Sequence, residues 1–162
     1  MTHDFEDAAS VADRIGVLSC GRVRQLGTAA ELLAAPTDDV VASFAGANVL
    51  RGVASSSAGD LTSVRLESGR TIYSTDAVRG AVDVVVYPWD VALALERSDD
   101  SARNHLSEEV VSVALLGNRA RVRLKTLTAE VTAASVERLA LAPGRTVVAG
   151  FKATATRLLP RS

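Results

Sequence analysis

Three short stretches carry residues able to hold an anion. "SARNHL", at 101–106, places a hydroxyl, a guanidinium, an amide and an imidazole at the mouth of a strand, just after Asp99 and Asp100. Thr132 and Ser135 lie three apart, so on a helical turn their hydroxyls share one face. They also stand where a helix would begin, and free backbone N–H groups there favour an anion. Lys152 follows an apolar strand in "FKAT". A tetrahedral oxyanion needs many donors, balancing positive charge and no nearby carboxylate; Arg, Lys, hydroxyls and backbone N–H groups supply this. Each residue also has a plainer use. Arg103 fits a solvated loop, Lys152 an exposed strand end, Thr132 and Ser135 plain helix caps, and residues 101–106 a polar linker between two lobes. Spacing alone leaves both readings open.

Other chemistry has little to stand on. The sequence holds no GxxxxGK[ST] phosphate loop, no GxSxG elbow and no HExxH. Its two histidines, His3 and His105, sit in no ligand spacing, so no metal is expected. A single cysteine, Cys20, excludes an intramolecular disulfide and a cysteine-based metal site. The formal net charge of −1 argues against a general nucleic-acid or membrane-surface binder. No apolar run reaches transmembrane length and the N-terminus lacks a signal-peptide layout, so a soluble cytoplasmic chain with no direct membrane insertion is expected. Sixteen arginines against two lysines, with abundant alanine, look like a GC-rich genome more than a functional signal.

The elements that must position these residues fall into two textures. With 162 residues and 48% apolar content, the chain can bury a real core as one ordinary domain or two small ones. Residues 1–47 read as mixed helix and strand. Asp4 can cap a helix, with Phe5, Ala8, Ala12 and Ile15 on one face and Gly16 as the stop. A hairpin follows around Ser19, Cys20, Gly21 and Arg22. Thr28 and Glu31 form a capping box for a helix ended by Pro36, and Thr37 caps a third helix closed near Gly46.

From Asn48 the chain alternates Val, Leu, Thr and Arg runs with Gly, Ser and Asp turns. The runs at 63–67, 82–87, 110–116, 120–124 and 146–151 predict a mainly β fold of small barrels or sandwiches. Residues 54–60 read as a loop, and only 132–139 as helix. A weak internal repeat is visible. "NVL" at Asn48 is echoed by "NHL" at Asn104, "SVRLESG" at Ser63 by "RVRLKTL" at Arg121, and "GAVDVVVY" at Gly80 by "GRTVVAGF" at Gly144. Two β units follow, at 48–97 and 98–162.

"SARN" at 101–104, "EVTAASVERLAL" at 130–141 and "VVAGFKAT" at 147–154 together resemble the Mop domain, the molybdate- and tungstate-binding type of TOBE domain. The resemblance implies OB-like β-barrel units in tandem. It also implies that Ser101, Arg103, Thr132, Ser135 and Lys152 hold molybdate or tungstate. In that family the site usually lies between subunits, which implies a homodimer in which one chain holds half sites.

"THDFEDAASVADRIGVLSCGRVRQLGTAAELLAAP" resembles the last stretch of an importer-class ABC-transporter ATPase, with His3 as its switch histidine. The resemblance implies a short α/β remnant at 1–47. The family's phosphate loop, signature motif and catalytic acid precede this stretch and are absent from the sequence. The chain alone is therefore expected not to be an enzyme, with His3 inactive and ATP relevant only with the missing ATPase part. The first β unit departs from the motif. Ala45 and Ala47 stand where Ser101 and Arg103 do, and Pro88 where Lys152 does, so this unit is expected to be a structural or dimerising partner.

Taken together, the resemblances imply a regulatory, substrate-sensing C-terminal module of a molybdate-type importer ATPase, with a membrane permease as partner. No covalently bound cofactor is implied. A freestanding molybdate-binding or storage protein, or a generic TOBE lobe for another substrate, are the alternatives.

Overall fold

The computed structural model describes residues 1–56 and 59–161. Asp4 accepts the Asp7 N–H at 3.0 Å and starts helix α1 (Phe5–Val11). The helix ends earlier than its apolar spacing predicts. Ile15 opens strand β1 (Ile15–Ser19), where Ile15 and Val17 are buried at strand period rather than helix period. Strand β2 (Arg22–Gly27) returns through Cys20 and Gly21, both at positive φ, as a tight hairpin turn of this hand demands. Helix α2 (Ala29–Ala34) has the reciprocal Thr28–Glu31 capping box. Helix α3 (Asp39–Phe44) is capped by Asp38, whose carboxylate accepts the Val41 N–H. Thr37, expected in that role, instead donates its N–H to Gln25. Ile15, Val17, Leu32 and Val41 form a small core of their own, flanked by Phe5 and Phe44 packed edge to face.

The remaining chain makes two five-stranded antiparallel sheets. The first contains β3 (Asn48–Ser56), β4 (Thr62–Leu66), β5 (Thr71–Ser74) and β6 (Gly80–Val86). The second contains β7 (Ala92–Ala94), β8 (Asn104–Leu116), β9 (Arg119–Leu124), β10 (Thr128–Thr132) and β11 (Thr146–Phe151). Strand β12 (Arg157–Pro160) returns to the first sheet. The orders are β12-β6-β3-β4-β5 and β7-β11-β8-β9-β10. These are the same arrangement twice, so the sequence echoes reflect a structural repeat. Each sheet takes its outer strand from the other repeat: β7 pairs with β11, and β12 with β6. The second repeat adds helix α4 (Ala133–Arg138) before β11.

The inner faces share one core. Val64, Ile72, Val82, Val84 and Val86 from the first sheet meet Val110, Val122, Ala129, Val147 and Phe151 from the second. Burying these side chains is the main stabilising term. Residues 82–86 of β6 are all buried, because the N-terminal elements cover the outer face as the core covers the inner. The Tyr87 hydroxyl donates to the Leu33 carbonyl and the Arg157 guanidinium to the Ala34 carbonyl, tying the end of α2 to this sheet. Ala54, expected in a loop, is buried inside β3 and pairs with Val64 and Gly80. Residues 57–58 of that expected loop lie outside the described residues.

Candidate functional site

The register between β8 and β11 decides which candidate residues meet. Asn104, the first residue of β8, pairs with Phe151, the last of β11. Residues 101–103 and Lys152 therefore leave their strands side by side. A short chain of bonds fixes this edge. The buried Asn104 amide donates to the Thr156 hydroxyl at 3.3 Å, and that hydroxyl donates to the Lys152 carbonyl at 2.9 Å. Asn104 also donates to the Tyr73 carbonyl at 2.9 Å and accepts the Tyr73 N–H at 2.7 Å. The Arg103 guanidinium lies 5.1 Å from the centre of the Tyr73 ring, a cation–π arrangement. Ser101, Arg103 and Lys152 are exposed.

Arg103 and Lys152 form no salt bridge among the described residues, as is also true of other arginines such as Arg51 and Arg65; what sets this pair apart is that the strand register brings them side by side. Two unpaired cations at one edge, with a hydroxyl and backbone N–H groups, suit a small multiply charged anion. A cleft of about 320 Å³ opens between residues 97 and 105, beside Ser101 and Arg103.

Thr132 and Ser135 are elsewhere. Thr132 ends β10 opposite Arg119, whose other strand partner is Leu116, at the far end of β8 from Asn104. Its hydroxyl oxygen accepts the Ser135 N–H at 3.1 Å, and the two hydroxyls lie 3.0 Å apart. Within one chain they cap α4 and do not reach Arg103 or Lys152. His3 is exposed and borders a different cleft, with Trp89, Arg119 and Arg121.

The first repeat shows why its counterpart offers no donors. Ala45, Gly46 and Ala47 each give their N–H to a carbonyl of α3. Pro88 is buried at the start of a short 3-10 turn, and Trp89 stacks on Tyr87 with ring centres 4.6 Å apart.

The roles of two residues of the site escaped the sequence reading. Asn104 stood out as an amide at the strand mouth and as an echo of Asn48, but not as a clamp. Asp100 accepts the Ala102 N–H at 2.8 Å, so a carboxylate stands inside the edge where none was expected. Donation from the Ser98 hydroxyl, then from Ala102, with a smaller contribution from His105, holds the Asp100 carboxyl below its usual range. The signal was its position two residues before Ala102, the spacing of an Asx turn.

Residues 100–158, which contain this edge, match the TOBE domain model. The chain carries a TOBE domain. That domain is joined to a longer likeness. The chain is 36% identical over 163 residues to the molybdate/tungstate import ATP-binding protein WtpC of Pyrococcus abyssi, covering 98% of this chain and 46% of the relative. It is 32% identical over 170 residues to the molybdenum import ATP-binding protein ModC of Mycobacterium tuberculosis, covering 98% and 45%. The chain thus spans about half the length of these relatives and corresponds to the C-terminal part of the WtpC protein. Among solved structures, the cytoplasmic molybdate-binding protein ModG, with molybdate bound, superposes with a TM-score of 0.62 at 25% identity. That match covers 70% of this chain and 96% of ModG. The mainly β, tandem TOBE-type fold agrees with this neighbour.

Proposed function

We propose that this chain is the substrate-sensing, regulatory C-terminal module of a molybdate- or tungstate-type importer ATPase. It binds the oxyanion at the cytoplasmic face, where it works with the ATPase portion and a membrane permease. The observation that carries this reading is the edge where the β8–β11 register brings Arg103 and Lys152 side by side, neither in a salt bridge among the described residues, in a TOBE domain. Ser101, Arg103 and Lys152 of one copy supply one half of the donors. Thr132 and Ser135, remote in the same chain, supply the other half from a second copy in a homodimer. Residues 48–97 act as the structural partner of 98–162, and residues 1–47 as the joint to the ATPase portion. No ATP turnover belongs to this chain alone.

Charge does not separate molybdate from sulfate, so selection comes from donors set at the longer metal–oxygen reach. A smaller anion leaves some bonds unmade, at about 1.5–3 kcal/mol for each charge-assisted bond. Two such losses give roughly a hundredfold preference or more. Calorimetry tests the reading. Molybdate and tungstate should bind far more tightly than sulfate, and Arg103→Ala and Lys152→Ala should each remove most of that binding. Arg51→Ala, in the first repeat, should change little. Equal heats for sulfate and molybdate, or full binding by Lys152→Ala, would overturn it.

A freestanding oxyanion-binding protein is the second reading, favoured by the near-complete coverage of ModG. It predicts the same binding but no change in the turnover of an ATPase portion supplied separately.

A further inference from the structure

The cleft beside Arg103 already holds a negative charge. One oxygen of Asp100 accepts the Ala102 N–H at 2.8 Å, and the other accepts the Ser98 hydroxyl. The His105 ring lies on the same side, with Nε2 3.5 Å from the first oxygen. The His105 side chain is only 8% exposed, and neither ring nitrogen has a hydrogen-bond partner among the described residues. A hydroxyl, a backbone N–H and an imidazole nitrogen therefore converge on the Asp100 carboxylate. These are the groups that would meet an external oxyanion entering beside Arg103 and Ser101.

We infer that Asp100 is a resident competitor beside the oxyanion site, whose carboxylate occupies the Ala102 N–H and the Ser98 hydroxyl next to Arg103 until a stronger anion displaces it. The inference rests on the oxyanion reading above. Asp100 has the freedom this requires: its side chain is 46% exposed, so it can swing into water. While in place it repels any anion that approaches Arg103. A dianion that engages both Arg103 and Lys152 gains enough to push it aside, and a singly charged anion gains less. Asp100 thus sets a threshold of affinity and biases the site towards doubly charged ligands.

The experiment is calorimetric titration of the full chain with sodium molybdate and with sodium chloride as a monoanion control. Asp100→Asn keeps an oxygen to accept the Ala102 N–H but removes the charge; Asp100→Ala removes both. Each should bind molybdate about tenfold more tightly or better, the equivalent of relieving one charge-assisted contact. Asp99→Asn, a neighbouring carboxylate without these contacts, should change affinity less than about threefold. In the unaltered protein, the Ala102 amide resonance should move on adding molybdate and stay put with chloride. Molybdate affinity that is unchanged or reduced in both Asp100 variants, or an Ala102 resonance that ignores bound molybdate, would overturn the inference while leaving the oxyanion site standing. No molybdate heat in any protein, Asp100→Asn included, would overturn both.

Discussion

Replacing Asn104 by alanine tests whether the two repeats are held together by side chains that close strand edges. Strand β5 ends the first sheet, and its Tyr73 has no strand neighbour on the outer side. Asn104 fills that place with one donated and one accepted bond to the Tyr73 backbone, plus a bond to Thr156. Asn104 is 2% exposed. Truncation leaves a peptide N–H and a carbonyl unpaired in a poorly wetted seam, at about 1–3 kcal/mol each. Some rescue by water brings the expected loss to about 3 kcal/mol, or roughly 6–12 °C in Tm for a chain of this size. Asn48 makes the corresponding pair of bonds to Thr128 on the edge strand β10, but is only half-buried and has no third partner among the described residues. Asn48→Ala should therefore cost about half as much. Asn104→Asp keeps the acceptor but turns a lone pair towards the Tyr73 carbonyl, so it should cost at least as much as alanine. Urea unfolding gives the answer, read as a change in midpoint at constant slope. An Asn104→Ala protein within about 0.5 kcal/mol of the parent, or no weaker than Asn48→Ala, would refute the edge-closing role.

The remaining expectations concern buried charge. Glu108 is fully buried and is held by Arg70 and by the Thr126 hydroxyl and N–H, so Arg70→Ala should cost about 3 kcal/mol by stranding the carboxylate. Adding Glu108→Gln to that variant should recover part of the loss, and strict additivity in urea unfolding would contradict the pairing. Burial pushes the Asp83 carboxyl above 3.8, and Arg161 at 3.6 Å offsets this only in part. The folded chain then holds this proton more tightly than the unfolded chain. Asp83 therefore subtracts stability as pH rises from 3.8 through its raised value, and above that value the penalty is complete. Asp83→Asn should flatten that part of the profile and raise Tm at neutral pH. An unchanged slope in calorimetry across the acid range would contradict this.

The sequence reading succeeded where short-range chemistry decides the outcome. The Thr28–Glu31 box, the Cys20–Gly21 turn and the strand at 146–151 all follow from residues within one turn or one strand. Its errors at Ile15 and Thr37 are also local. Ile15 satisfies both periods, and only the pairing with Gly27 selects the strand. Asp38 outcompetes Thr37 because its carboxylate reaches the Val41 N–H. The repeat was visible as echoes, but the exchange of β7 and β12 was not, since an outer strand's partner leaves no mark on its own sequence. At the site, adjacency of Arg103 and Lys152 comes from a single register, Asn104 against Phe151, which spacing along the chain does not encode. The separation of Thr132 and Ser135 from them has the same origin.

The exchanged outer strands also dictate an order of events during synthesis. As the chain leaves the ribosome, β3 to β6 can assemble early, yet the outer edge of β6 stays open until residues 157–160 emerge to pair with Val82 to Val85. Throughout that interval a Val-rich edge is on display, able to recruit the same segment from a neighbouring chain. Closure depends on contacts far apart in sequence, which folds slowly. Neither repeat can reach its native sheet by itself. A nascent chain crowded among copies of itself therefore has two ways to satisfy that edge, and which copy of β12 fills it decides between a closed monomeric unit and an interlocked pair.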